Sequence, residues 1–188
     1  MFFFFMTIST PVFRADNAAL DRCLAGIAAG NQRALADLYE QTHAALYGFV
    51  LSLLKNPHDS EDVLQEVYLQ VWQAADRYRS HSKPMAWLIT IARNLALSRL
   101  REQQKTVLLS PEDWHSQFAE LPAVTPDDRL LLNAMLSMLS EEERQIVTLH
   151  ALTGLKHREI ASLLELPLPT VLSKYNRALK KLRLSLGG

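Results

Sequence analysis

Asp62, Gln65, Glu66 and Leu69 stand at i, i+3, i+4 and i+7, the spacing that gathers four side chains on one helix face. Two carboxylates and an amide beside an apolar side chain can pair with cations. The plain alternative is an ordinary solvated face. Downstream, "RYRSHSKP" gathers Arg77, Arg79, His81, Ser82 and Lys83, and Arg93, Asn94 and Arg101 follow in the next apolar stretch. Cations and small polar groups of this kind hold phosphates and the edges of bases. Singly, each is equally a surface residue. The third set lies near the end of the chain, where Thr170, Ser173, Lys174, Arg177, Lys180 and Lys181 fall within twelve residues. A basic helix of that kind is the footprint of a polyanion-binding surface.

Helices have to position all three sets. The first lies on a stretch from about Ser60 to Ala75, with Leu64, Val67, Val71, Trp72 and Ala75 as its core stripe and Gln73 extending the polar one. Ser60 is placed to cap it, with Glu61 and Asp62 in the first turn. The second set includes a helix that Pro84 begins. Trp87, Leu88, Ile91, Ala92, Leu95 and Leu100 suit its buried side, and Thr90, Arg93, Asn94, Leu97 and Arg101 the opposite one. The third set belongs to a helix-turn-helix. Gly154 ends a helix; Ile160, Ala161, Leu163 and Leu164 face a core from the next. The turn "LELPLPT" carries Pro167 and Pro169, and from Thr170 onward Val171, Tyr175, Ala178, Leu179 and Leu182 recur at helical spacing. Ahead of it, "LSEEER" sets Ser140 and Glu143 as a capping box.

Composition bounds these readings. Nothing in the 188 residues approaches the roughly 20 apolar residues of a membrane span, and the opening "MFFFFM" makes neither a signal peptide nor a span. That start is expected to be poorly ordered, with Met1 or Met6 as the initiator. The single Cys23 excludes an internal disulfide and a cysteine zinc cluster, which fits a reducing cytoplasm. There is no glycine-rich phosphate loop, no HExxH pair and no nucleophile elbow, so an enzyme, a metal site and a cofactor are not expected. A net charge of zero hides an asymmetry: residues 106–145 carry eight acids against two bases, residues 154–188 seven bases against two acids. The tail is therefore the polyanion-facing part. No run alternates as a strand would, and turn signals separate about six or seven helical stretches. The fold expected is all-α. It comprises an N-terminal extension over 1–25, a helical domain over 26–105, a flexible linker over 106–125 and a helix-turn-helix domain over 126–188, opened near Pro126 by "DDRLLLNAMLSML".

Three pieces, "SEDVLQEVYLQVW", "WLITIARNLALSRLR" and "REIASLLELPLPTV", occur in this order. Together they make the chain resemble, from about Ala34 to Leu186, a bacterial sigma factor of the extracytoplasmic-function (group four) sigma-70 family. The resemblance implies initiation of transcription. The face of Asp62, Gln65, Glu66 and Leu69 would dock on an arginine-rich coiled coil of core RNA polymerase. Arg79, His81, Ser82, Lys83, Arg93, Asn94 and Arg101 would hold bases and phosphates of the minus-ten element as it melts. Thr170, Ser173, Lys174 and Arg177, with Lys180 and Lys181 toward the backbone, would read the minus-thirty-five element. It also implies an anti-sigma factor, often membrane-anchored, and no small-molecule substrate.

The sequence departs from the family pattern at Lys156, where a small polar residue is usual, at Pro169, usually glycine, and at Leu172, usually basic. Two other readings stay open. One is a helical DNA-binding regulator that never touches polymerase, which would have no use for the acidic face. The other is an interaction module whose helix-turn-helix no longer binds DNA.

Overall fold

Asp16 opens the first helix, its carboxylate accepting the Ala18 N–H at 3.0 Å, and α1 runs Asn17–Ala28. The structure, a computed structural model, describes residues 16–79, 83–106 and 138–185. The "MFFFFM" start, His81, Ser82, nearly all of the expected linker and the expected helix around "DDRLLLNAML" lie outside the described residues. Among the described residues there are seven α-helices and no strand.

Asn31 caps α2 (Gln32–Leu54), its side-chain oxygen accepting the Arg33 and Ala34 N–H groups. Lys55, at φ 57°, closes it in the left-handed conformation. Asn56 then caps α3 (Pro57–Ala74), accepting the Asp59 N–H at 3.2 Å. This moves the expected start. Pro57 is tolerated in a first turn, whose N–H groups have no intrahelical partner. Ser60 therefore does not cap: it lies buried one turn inside and donates its hydroxyl to the Asn56 carbonyl at 2.6 Å. A single 3-10 turn, Ala75–Arg77, follows. Next come α4 (Pro84–Thr106), α5 (Glu141–Thr153), α6 (His157–Leu164) and α7 (Leu168–Ser185). The boundary expected at residue 25 falls inside α1, which buries Leu20, Cys23, Leu24 and Ile27 against α2.

Helix α2 is the hub. Every residue from Ala45 to Leu54 is buried, as a helix apolar all round must be. Helices α1, α3 and α4 cover it, and α5 packs on it as well. Gly48 permits that last contact, because a Cβ there would stand only 2.6 Å from Leu152 Cδ1. Helix α3 presents Val63, Leu64, Val67, Tyr68 and Val71 to the core, and the Tyr68 hydroxyl meets Thr42 Oγ1 at 2.9 Å. Trp72, expected in the core, is 36% exposed instead. It falls one step beyond the stripe that Tyr68 and Val71 complete. On α4 the fully enclosed residues include Met85, Leu88, Ile89 and Ala92. Trp87 is half-buried against Tyr78, ring centroids 5.1 Å apart.

The capping box of α5 is present as expected. Ser140 Oγ accepts the Glu143 N–H, and Glu143 Oε2 accepts the Ser140 N–H at 2.9 Å. Gly154, at φ 69°, ends α5. At α6 only the returning half of a box forms, the Lys156 N–H donating to Glu159 at 2.9 Å, since a lysine side chain cannot accept. Helix α7 starts at Leu168, ahead of the expected Thr170, with Pro169 in its first turn. Val171, Tyr175, Ala178 and Leu182 are buried on α7 and Ile160 and Ala161 on α6.

A stack of His150, His157 and Tyr175 joins α5, α6 and α7, with the imidazole centroids 4.6 Å apart. His150 Nδ1 donates to the Leu155 carbonyl at 2.9 Å, while His157 Nε2 is buried with no hydrogen-bond partner among the described residues. Burial first, and then the neighbouring His150, holds the His157 imidazole below its ordinary value of 6.5. The unfolded chain therefore takes up this proton more readily than the folded one, and stability is lost as pH falls from about 6.5 toward the lowered value. Thermal melts from pH 7.5 to 5 should show His157→Phe, which keeps the stack without the charge, losing less stability than wild type. Identical slopes for the two proteins would refute this.

Candidate polymerase and nucleic-acid interfaces

Helix α3 turns Asp62, Gln65, Glu66 and Leu69 to one side, with Gln65, Glu66 and Leu69 exposed and Asp62 half so. Leu69 is 61% exposed, and with Trp72 it gives the acidic face an apolar end. The face is not made by α3 alone. Arg99 of α4 reaches across to Asp59 at 3.8 Å, Asp62 at 3.9 Å and Glu66 at 3.6 Å, and Gln103 donates to Asp59 at 2.8 Å. His58 lies 3.6 Å from Asp62. Loose, half-exposed pairs of this kind are worth about 0–1 kcal/mol each, so an incoming guanidinium can displace them. Sequence reading missed Arg99 and Gln103. Their signal was available, one helical turn apart and off the Asn94 and Arg101 stripe.

That stripe sits on the open side of α4. Thr90, Asn94 and Arg101 are exposed and Arg93 and Leu97 half-buried. Arg79 and Lys83, flanking the loop, are exposed as well. Lys83 Nζ lies 3.9 Å from Glu159 of α6, linking the loop to the helix-turn-helix.

The third set divides. Lys174 pairs with Glu142, and Lys181 donates to Glu143 at 2.6 Å. Both lysines therefore flank α5 rather than head the open face. Burial pushes the Glu143 carboxyl up, but the Lys181 and Ser140 hydrogen bonds outweigh it and hold the group below its ordinary value. Ser173, Arg177 and Lys180 do face outward, with Thr170 half-buried at the rim. Between them stands Asn176, exposed and missed by sequence reading because an uncharged residue leaves no charge pattern. Leu172 is 40% exposed on the same side.

Among the described residues no group of His, Cys, Asp or Glu is placed to hold a metal ion, and no helix is long and apolar enough to cross a membrane.

Two family models match the chain: sigma-70 region 2 over residues 38–106, and sigma-70 region 4 over residues 129–182. The ECF RNA polymerase sigma factor SigK of Mycobacterium ulcerans is 32% identical over 180 residues, 92% of this chain and 95% of that protein. SigK of Mycobacterium tuberculosis H37Rv is 31% identical over 172 residues, 87% of this chain and 91% of that one. Among solved structures, CnrH in complex with the cytosolic domain of CnrY superposes with a TM-score of 0.65 at 25% identity, over 89% of this chain and 97% of that one. The sigma factor RpoE, bound to the anti-sigma factor NepR from Bartonella quintana, shares the fold with a TM-score of 0.59 at 24% identity. That match covers 80% of this chain and 96% of that one.

Proposed function

The chain belongs to the sigma-70 family as a sigma factor of the extracytoplasmic-function type, and from that membership we propose that three separate surfaces divide its work of binding core RNA polymerase, recognising promoter DNA and initiating transcription. Asp62, Gln65, Glu66 and Leu69 dock on core polymerase. Arg79, His81, Ser82, Lys83, Arg93, Asn94 and Arg101 hold the minus-ten element as it opens. Thr170, Ser173, Arg177 and Lys180 approach the minus-thirty-five element, with Lys174 and Lys181 adding field from the flank. The observation that carries this division is the α3–α4 pair. It presents carboxylates with an exposed leucine along α3 and a separate polar stripe with Asn94 along α4. A regulator that never met polymerase would leave the first of these without a purpose.

The work is binding, not chemistry. Strand separation without a nucleotide cofactor has to be driven by capture of unstacked bases, each stacking or edge contact offsetting part of the cost of opening the duplex. Its site is the cytoplasm, where polymerase and DNA are. CnrH is seen with CnrY and RpoE with the anti-sigma factor NepR, which supports a partner of that kind for this chain, soluble or membrane-anchored.

Gel-shift binding of promoter DNA, with and without core polymerase, tests the reading. A specific complex should form only when core is present. A sequence-specific complex without core would favour the stand-alone regulator, and none in either case the degenerate module. Within the holoenzyme, Asn94→Ala should cut open-complex formation about tenfold, near the cost of one good base contact, while closed-complex binding changes little. Undiminished permanganate reactivity in the variant would count against the assignment.

A further inference from the structure

The exposed face of α7 is less basic than its composition, because Glu142 and Glu143 hold Lys174 and Lys181 at the α5 flank. What remains at the N-terminal, base-reading end is Leu172 and Ser173, then Asn176 and Arg177 one turn later. A lone exposed leucine needs no explanation. This one stands where a recognition helix meets base edges, one turn from an exposed amide.

Those two chemistries complement one base pair type. In the major groove, adenine offers N7 as acceptor and N6 as donor, which an asparagine amide satisfies bidentately, and thymine offers a C5 methyl group to an apolar side chain. Guanine, by contrast, calls for a cation, which at the N-terminal end of α7 is Arg177, on the far edge of the face. At i and i+4, Leu172 and Asn176 lie about 6 Å apart along the helix, a reach that covers adjacent base pairs. We infer that Leu172 and Asn176 form an A·T-reading pair, Leu172 packing on a thymine methyl group and Asn176 bonding adenine N6 and N7, so that this sigma factor selects an A·T step in its upstream promoter element. The inference rests on the assignment of α7 to that element and specifies what it reads there.

The reconstituted holoenzyme, challenged with a library of random-sequence duplexes, supplies its own upstream consensus. Selected duplexes are then remade with deoxyuridine for each thymine in turn, removing only the methyl group, and with 7-deazaadenine for each adenine, removing only N7. Wild-type holoenzyme should lose about three- to tenfold in affinity at one thymine and at one adenine in the same or the neighbouring pair. Leu172→Ala should bind thymine and uracil duplexes equally while still sensing N7. Asn176→Ala should show the reverse. Both side chains are exposed, and circular dichroism of each variant should match wild type.

A wild-type protein indifferent to both base analogues, or a Leu172→Ala protein that still distinguishes methyl from no methyl, overturns the inference while leaving α7 as an upstream reader. A holoenzyme that enriches no upstream sequence at all overturns the assignment of α7 itself, and this inference with it.

Discussion

Replacing Asp62 and Glu66 together by arginine should abolish capture of core RNA polymerase, with a loss of at least about 100-fold in affinity. That is about 2.7 kcal/mol, within the range for reversing charges that meet cations across an interface. Folding should scarcely notice. Neither carboxylate is buried, and among the described residues each meets loosely placed partners, Arg99 foremost. Helical circular dichroism should match wild type and the melting temperature should move by only a few degrees. Arg99→Ala is the informative companion: it frees the carboxylates, so core binding should hold or tighten. Pull-down of core at wild-type affinity by the double variant would remove polymerase docking from this face and leave it a solvated surface. If Arg99→Ala lost core binding as severely as the double reversal, Arg99 would itself be part of the docking surface.

Sequence showed best whatever was local. Ser140 and Glu143 announced a capping box three residues apart, Gly154 a helix end, and Val171, Tyr175, Ala178, Leu179 and Leu182 an inward stripe; all three stand in the structure, with Leu179 only half-buried. Each depends on neighbours within a turn or two, and periodicity records such neighbours directly. The exposed positions Gln65, Glu66, Leu69 and Asn94 were legible for the same reason. What periodicity leaves out is the partner across space. Lys174 and Lys181 counted as free charge until Glu142 and Glu143, more than thirty residues away, came to meet them. Arg99 reaching the acidic face is the same kind of event. Trp72 shows a further limit: an apolar residue at the edge of a stripe is in or out according to which neighbour fills the last gap, and Tyr68 fills it here. Gly48 is another position that periodicity leaves silent: its missing side chain lets Leu152 approach α2.

The same hub helix is where a large stability effect is expected. Phe49 is wholly buried in the segment Ala45–Leu54, which is enclosed on every side. Phe49→Ala removes the whole ring from packing at near-crystalline density, and the walls of the cavity relax only in part. A cost of about 3–5 kcal/mol is expected, about a fifth or more of the roughly 5–15 kcal/mol that holds an ordinary domain. Phe49→Leu, which keeps most of the volume, should cost less than half as much. Urea titration of both variants checks these values, and a loss below about 1 kcal/mol for Phe49→Ala would mean the site collapses freely. Hydrogen exchange separates a further question. Because α5 leans on α2 through Leu152 and Gly48, loosening α2 should also lower protection of the α5 amides, although Phe49 and α5 lie almost a hundred residues apart. Protection lost in α2 with α5 untouched would show that the helix-turn-helix unit keeps its fold by its own contacts, among them the His150, His157 and Tyr175 stack. Protection lost in both would show one cooperative unit, in which the DNA-reading end gains part of its stability from the helix that supports the polymerase-binding end.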